Sequence, residues 1–167
     1  YSGFKRETLV FNSKEEELAF ISEKQNYSKE EGKVVGQHQG AHYFTKGQRK
    51  GLAVGGTTEP LFVIDTDVKE NVIYVGLGKS HPGLYRSGLL VLPEETHWVR
   101  PDLKINIGES LHIMARIRYR QTLENAMIYS TNSGLYVIFE KPQSAITEGQ
   151  FVAWYLDDEL IGSGVIS

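Results

Sequence analysis

Short β-rich runs separated by turn residues dominate the chain from residue 60 onward. They are rich in branched and aromatic side chains: LFVID (61–65), NVIYVG (71–76), LLVL (89–92), LHIMARIRYRQ (111–121), NAMIYS (125–130), LYVIFE (135–140), FVAWYL (151–156) and LIGSGVIS (160–167). Turn signals recur between these runs, and no helical pattern appears after residue 90. This spacing is typical of a small antiparallel barrel or sandwich, so we predict a mainly β fold.

The part of the chain before these runs predicts one helix and one hairpin. The helix is expected over residues 13–25, with Ser13 as N-cap and Glu16 completing a capping box. The runs at 61–65 and 71–76 flank a polar TDVKE segment, which predicts a β-hairpin. A small α+β central domain should therefore precede an antiparallel β-barrel.

The segment SHPGLYRSG (80–88) marks a predicted domain boundary, because Pro82, Gly83 and Gly88 interrupt regular structure. Together with the polar stretch that ends at Gly32, it divides the chain into three parts. These are an N-terminal segment with a short helix, a central domain and a C-terminal barrel, at residues 1–32, 33–86 and 87–167.

Several classes of site are excluded or disfavoured by the sequence. The chain has no cysteine, which excludes disulfides, thiolate zinc sites and cysteine catalysis within it. The absence of cysteine also fits a cytoplasmic location, and because the chain has no run of eighteen apolar residues we expect no membrane span. It begins at Tyr1 rather than Met, which favours a piece of a longer protein. His38 and His42 have the spacing of a helical metal pair, but Gly40 lies between them and no carboxylate follows His38, so no metal site is predicted.

The stretch TKGQRKGLAVGG (45–56) is rich in glycine and basic residues, as phosphate-binding loops are. It lacks the lysine that must follow the second glycine of a P-loop, and no helix pattern follows it. A nucleotide site is therefore rejected, and no catalytic residues are predicted in the chain.

Positive charge is concentrated in two short segments, although the net charge of the chain is −3. Residues 33–56 contain four basic residues (Lys33, Lys46, Arg49 and Lys50) and no acid, which gives +4. Residues 111–122 contain three arginines and no acid, which gives +3. A localised positive patch attracts polyanions whatever the total charge, but short windows without acids also arise by chance.

The run at residues 111–121 alternates apolar and polar side chains. The alternation predicts a strand whose core face carries Leu111, Ile113, Ala115, Ile117 and Tyr119. All three arginines (Arg116, Arg118 and Arg120) would lie on the opposite face, about 7 Å apart. Two interpretations remain open at this point: a polyanion-binding face, or an exposed face whose arginines pair with carboxylates on neighbouring strands.

Several separated motifs resemble those of the tRNA-specific 2-thiouridylase family. They are GQHQGAHYFTKGQRKGL (36–52), HPGL (81–84), THWV (96–99), RYRQT (118–122) and the T-x-G-Q formed by Thr147, Gly149 and Gln150. The resemblance covers roughly residues 32–167. It departs from the family pattern at Gln37, where Glu is usual, and at Lys46, where an aliphatic residue is common.

The resemblance implies a function. Members of this family thiolate the wobble uridine of certain tRNAs, using ATP and two cysteines in an N-terminal domain with an S-G-G-x-D-S loop. Their central domain and C-terminal barrel, which is akin to barrels of elongation factors, hold the tRNA. The present sequence resembles only these last two parts, so we expect no cofactor here, ATP in the missing domain, and no activity from this chain alone.

The resemblance also implies site residues. The tRNA contacts of the family's barrel fall on Arg118, Tyr119 and Gln150, and tRNA is therefore the expected partner. Charge alone extends this predicted site to five further residues: Arg116, Arg120, Lys46, Arg49 and Lys50. The second hypothesis is a protein-interaction barrel whose arginine face docks an acidic partner, for example a sulfur-donor protein. No metal or membrane partner is expected.

Overall fold

The computed structural model describes residues 9–167, and the first eight residues of the predicted N-terminal segment lie outside it. Besides four 3-10 helices of three residues each, one α-helix and eight strands follow in order: α1 (Lys14–Ser22), β1 (Leu61–Asp67), β2 (Val72–Leu77), β3 (Tyr85–Trp98), β4 (Ser110–Arg116), β5 (Glu124–Thr131), β6 (Gly134–Ser144), β7 (Phe151–Leu156) and β8 (Glu159–Ile166). The mainly β fold is confirmed. None of the helices within residues 9–167 is long and apolar enough to cross a membrane.

Helix α1 begins where the sequence predicts. The Ser13 hydroxyl accepts a hydrogen bond from the Glu16 backbone N–H at 3.1 Å, and the Glu16 carboxylate accepts from the Asn12 N–H at 2.7 Å. The helix ends at Ser22, three residues before the predicted end, because Glu23 adopts extended backbone. Leu18 is buried on the face that packs against β3 and β6.

Strands β1 and β2 form the predicted antiparallel hairpin, with Leu61 opposite Leu77. A loop that precedes the hairpin is fastened to β1. The Gly47 N–H donates to the Val63 carbonyl at 2.7 Å, and the Val63 N–H donates to the Gln48 carbonyl at 2.9 Å. The hairpin and this loop share a small core of three buried residues: Leu52, Leu61 and Val63. We call residues 45–77 the hairpin region.

The remaining six strands close into an antiparallel barrel in the order β3-β6-β5-β4-β7-β8. Closure depends on β3, which is 14 residues long and pairs first with β6 and then with β8. The predicted strand at 89–92 is therefore only the middle of a longer one. β3 also runs through the predicted boundary between residues 86 and 87, and the division into three domains stays a prediction.

The barrel encloses a core of fifteen buried apolar residues. At its centre Trp154 is completely buried, and its ring meets that of Trp98 edge to face with centroids 5.6 Å apart. Gly162 lies opposite Trp154 in the β7–β8 register, and a Cβ there would fall 2.3 Å from the Trp154 Nε1. Both tryptophans are packing residues, as predicted.

The predicted strand at 111–121 is wrong in its second half, because β4 ends at Arg116. The Ile117 N–H donates to the Gln121 side-chain carbonyl at 3.1 Å, and the Gln121 N–H donates to the Arg118 carbonyl at 3.1 Å. These bonds turn the chain away from the sheet. The three arginines consequently do not share one strand face, since only Arg116 lies on β4.

The predicted core face of this segment is correct only as far as residue 117. Ile113, Ala115 and Ile117 are buried, and Leu111 packs against them at the edge of the core. Tyr119 was predicted on the same face but is 86% exposed, because it lies in the turn that follows β4.

Candidate nucleic-acid interface

Residues 144–149 begin at the last residue of β6 and lead towards β7, and we call them the junction loop. Arg118 holds this loop from the turn after β4: its Nη2 donates to the Ser144 carbonyl and, at 3.3 Å, to the Ala145 carbonyl. The Thr147 hydroxyl donates to the same Ala145 carbonyl at 2.9 Å. A guanidinium shared between two backbone carbonyls fixes the loop while the residue as a whole stays exposed.

Ala145 is the point at which the junction loop meets the rest of the molecule. Its φ of +54° lies in the left-handed region, which an alanine occupies only when its surroundings require it. Its N–H donates to the Leu84 carbonyl at 2.6 Å, just before β3. The loop conformation is therefore fixed by contacts on both sides.

The hairpin region contacts the junction loop through Gly47. A Cβ built on Gly47 would lie 3.2 Å from the Ala145 Cβ, and Gly47 has a φ of +87°. The loop containing Lys46, Arg49 and Lys50 is thereby placed beside the loop that Arg118 holds. The structure thus brings the two basic segments of the sequence to the junction loop. The sequence did not predict this proximity.

Arg49 and Lys50 lie on the surface of the hairpin region. The turn that carries them is built by Thr45 and Gln48: the Gln48 side-chain oxygen accepts from the Thr45 N–H at 3.0 Å, and its amide donates to the Lys50 carbonyl at 2.9 Å. The backbone is thus fixed while both basic side chains stay exposed to solvent.

Lys46 has a different environment, although it belongs to the same turn. It is half-buried, and burial lowers the pKa of its ammonium group, with the positive charges of Lys24 and Arg86 lowering it further. The carboxylates of Asp65 and Glu148 act in the opposite direction. Lys46 therefore belongs to a cleft rather than to the exposed surface.

Arg116 is held among aromatic rings. Its guanidinium donates to the Tyr155 hydroxyl at 2.9 Å and to the Tyr119 carbonyl at 3.0 Å. It also lies over both rings, 5.3 Å from the centroid of Tyr155 and 5.5 Å from that of Tyr119. Arg116 therefore positions Tyr119, whose ring remains available to a stacking partner.

Arg120 and Gln150 are both exposed. Arg120 follows Tyr119 in the turn after β4, and Gln150 directly follows the junction loop. The Gln150 backbone is fixed, because its carbonyl accepts from the Ile166 N–H at 2.8 Å. Arg118 thus connects the turn after β4 to the junction loop, and Gln150 is the next residue after that loop.

Carboxylates do not neutralise the predicted cations. Within residues 9–167 the ion pairs involve the bases Lys14, Lys24, Lys29 and Arg100, and none of the six predicted cations has a carboxylate within 4.0 Å. The alternative interpretation of the arginines, in which acids on neighbouring strands pair with them, is thus wrong for this part of the chain.

His38 and His42 make local contacts. The His38 Nδ1 accepts from the Gly40 N–H at 3.1 Å, and the His42 ring lies 4.1 Å from that of Tyr43. Within the described residues no group of three or more histidine, aspartate or glutamate side chains could hold a metal ion.

Comparison with known proteins gives consistent matches along the chain. Residues 19–77 match the family described as the tRNA methyl transferase PRC-barrel domain, and residues 89–166 match the aminomethyltransferase beta-barrel domain. The chain is 64% identical over 165 residues to the tRNA-specific 2-thiouridylase MnmA of Christiangramia forsetii, covering 99% of this chain and 42% of that protein. The chain belongs to the tRNA-specific 2-thiouridylase family.

Two further 2-thiouridylases support this assignment at different levels of sequence identity. The protein of Flavobacterium johnsoniae is 64% identical over 155 residues, which are 93% of this chain and 39% of that protein. The protein of Chlamydia trachomatis is 41% identical over 134 residues, or 80% of this chain and 36% of that protein. The chain spans about two fifths of the length of these relatives.

Sequence reasoning missed two residues that line the cleft beside Lys46 and one residue that bonds to the backbone after β4. Arg86 and Lys24 were not singled out, because each is an isolated base in an otherwise ordinary segment. Gln121 was also missed, although it ends β4 by accepting the Ile117 N–H and donates its own amide to the buried Gln143. A glutamine at the last position of the predicted alternating run was the available signal.

Proposed function

We propose that this chain is the tRNA-binding portion of an ATP-dependent tRNA 2-thiouridylase that thiolates the wobble uridine. The observation that carries the proposal is the meeting of the two basic segments at the junction loop. Arg118 holds the loop from the barrel, and Gly47 contacts it from the hairpin region. One extended polyanion could therefore touch both regions at once.

The exposed groups suit an RNA backbone and an unstacked base. Arg49, Lys50 and Arg120 offer positive charge to phosphates, and arginine can pair with a phosphate through two hydrogen bonds. Tyr119 offers an exposed ring already backed by Arg116, which suits stacking on a base. Gln150 adds an amide that can donate and accept hydrogen bonds.

The thiolation chemistry is proposed for parts of the parent protein outside this chain. The sequence has no cysteine and no S-G-G-x-D-S loop, so ATP use and sulfur transfer have no candidate residues here. We expect the 167-residue chain to bind tRNA without turnover. Our proposal includes a cytoplasmic location, where a protein acting on tRNA meets its substrate, and a sulfur-donor protein as a further partner of the whole enzyme.

The test measures tRNA affinity as a function of salt concentration for the chain and three variants. Removing both exposed charges of the hairpin region, in Arg49→Gln with Lys50→Gln, should reduce the slope of log affinity against log salt by about two. Arg118→Ala should weaken binding roughly tenfold at constant salt, because it releases the junction loop and removes a charge. Lys104→Gln is the matched control, because it removes an exposed lysine between β3 and β4, at the end of the barrel opposite the junction loop.

Two results would overturn the proposal. A salt-independent affinity would show that phosphates do not lead the binding. Equal effects from Lys104→Gln and the double variant would show that the basic segments have no special role. Displacement of tRNA by an acidic protein, with tighter binding of that protein, would instead favour the protein-interaction hypothesis.

A further inference from the structure

A cleft of about 700 Å³ lies between the end of α1, the Pro82–Leu84 turn and the start of β3. Basic side chains reach it from three separate segments: Lys24 after α1, Lys46 from the hairpin region and Arg86 from β3. The cleft is also lined by Tyr27, Gly83 and Ile146. Of the eight predicted tRNA-binding residues, Lys46 alone lines this cleft.

The positive charges in the cleft are only partly balanced. Lys24 lies 3.5 Å from an Asp65 carboxylate oxygen and 3.4 Å from one of Glu148, so it has acidic partners. Lys46 and Arg86 have no carboxylate within 4.0 Å among residues 9–167. Glu23 also lines the cleft without forming an ion pair there.

Arg86 is held in place by its backbone partner. Its Nη1 donates to the Ser22 carbonyl at 3.0 Å, at the end of α1. One guanidinium nitrogen is therefore engaged, which leaves the other donors of the group for a ligand. The side chain needs little reorganisation to receive an anion.

Lys46 and Arg86 are in an unfavourable environment when the cleft is empty of anions. Burial lowers the pKa of both groups, and the charge of Arg86 lowers that of Lys46 further. Partly buried charges are normally paired, because desolvation otherwise destabilises them. An anion between the two cations would remove this cost.

We propose that this cleft binds a phosphate group, with Lys46 and Arg86 as its principal ligands. Arginine supplies directional donors, and lysine supplies a compact charge that can adjust to the oxygen positions. The phosphate could belong to an RNA backbone or to a small phosphate compound, and both offer the same oxygens. Only the RNA case rests on the proposed tRNA-binding function.

The experiment follows Lys46 directly by NMR. Reductive methylation with a ¹³C label preserves the charge of each lysine, and the spectrum of Lys46→Gln assigns the Lys46 signal. The 167-residue chain is titrated with pyrophosphate and, separately, with tRNA. We expect pyrophosphate to shift the Lys46 signal and raise the pKa of its amine, because an adjacent anion favours the charged form.

Two variants and one control measure the ligands themselves. Lys46→Gln should weaken pyrophosphate binding roughly tenfold, and Arg86→Lys should weaken it several-fold by replacing the fork of donors with a point charge. Lys104→Gln should leave the affinity unchanged. Tryptophan fluorescence of each variant checks that the barrel remains folded.

The possible outcomes separate this site from the tRNA-binding function. A Lys46 signal that neither pyrophosphate nor tRNA shifts overturns the proposal, even if tRNA binds elsewhere on the chain. A response to pyrophosphate without any tRNA binding supports the site and removes the tRNA function. A response to tRNA alone supports the site and assigns its phosphate to RNA.

Discussion

The barrel and the hairpin region both carry predicted tRNA-binding residues, but they differ in how they are held together. The barrel has a closed ring of six strands around fifteen buried apolar residues, whereas the hairpin region has two strands and a core of three. Two-stranded sheets are marginal in water without further packing. The hairpin region therefore depends on the hydrogen bonds between β1 and the loop at Gly47, which lie within it, and on the contact of Gly47 with the junction loop.

This difference predicts two kinds of response to mutation. A loss in the barrel core should lower the stability of the whole barrel, because the closed sheet unfolds cooperatively. A loss in the hairpin region should open that region locally while the barrel stays folded. The following variants test this contrast, from the largest expected effect to the smallest.

Trp154→Ala should destabilise the barrel by about 4 kcal/mol, because it leaves a cavity where a completely buried indole stood. Chemical denaturation followed by far-ultraviolet circular dichroism measures the loss, and tRNA affinity should fall with it. An unchanged denaturation midpoint would mean that the core collapses around the missing ring. The barrel would then not be the more rigidly packed of the two regions.

Val63→Ala and Val137→Ala make the same change in the two regions, and both valines are fully buried. Each substitution should lower the free energy of unfolding of its region by about 2 kcal/mol, because methyl groups are lost and a cavity remains. Hydrogen exchange measured by mass spectrometry should rise only in residues 61–77 for Val63→Ala, whereas Val137→Ala should lower the protection of the barrel. Similar exchange patterns for the two variants would show that the regions unfold together.

Gly47→Ala tests the attachment between the regions and should have the smallest effect. A side chain at φ +87° is strained, and its Cβ would crowd Ala145, so we expect a loss of about 1 kcal/mol with faster exchange in the hairpin region. Gly108→Ala is the control, because its φ is +90° and nothing lies within 4 Å of a Cβ there. Identical effects on hairpin exchange would show that the Gly47 contact does not couple the regions.

The positions of most strands could be predicted from the sequence, because alternation and turn residues are local signals. The predicted runs at 125–130 and 151–156 correspond to β5 and β7 to within one residue at each end, whereas β6 continues four residues beyond the predicted run at 135–140. The error at β4 has a nonlocal cause. Gln121, which ends the strand, is itself bonded to Gln143 on another strand, and no local pattern contains that contact.

The candidate site was predictable in its residue types but not in its assembly. Basic composition and the family resemblance selected Arg118, Lys46 and their neighbours. Arg118, however, bonds to carbonyls 26 and 27 residues away, and Gly47 meets Ala145 only through the tertiary fold. Composition also could not distinguish half-buried Lys46 from exposed Arg49, because only the tertiary fold places Lys46 in the cleft.

The edge-to-face pair of Trp98 and Trp154 has an optical consequence. The sequence contains two tryptophans, and both belong to the barrel, so the hairpin region has no indole of its own. Fluorescence excited selectively in tryptophan will thus report on the barrel, and it should not change when the hairpin region opens. Tyr74→Trp, on β2, would add an indole whose fluorescence reports on the hairpin region.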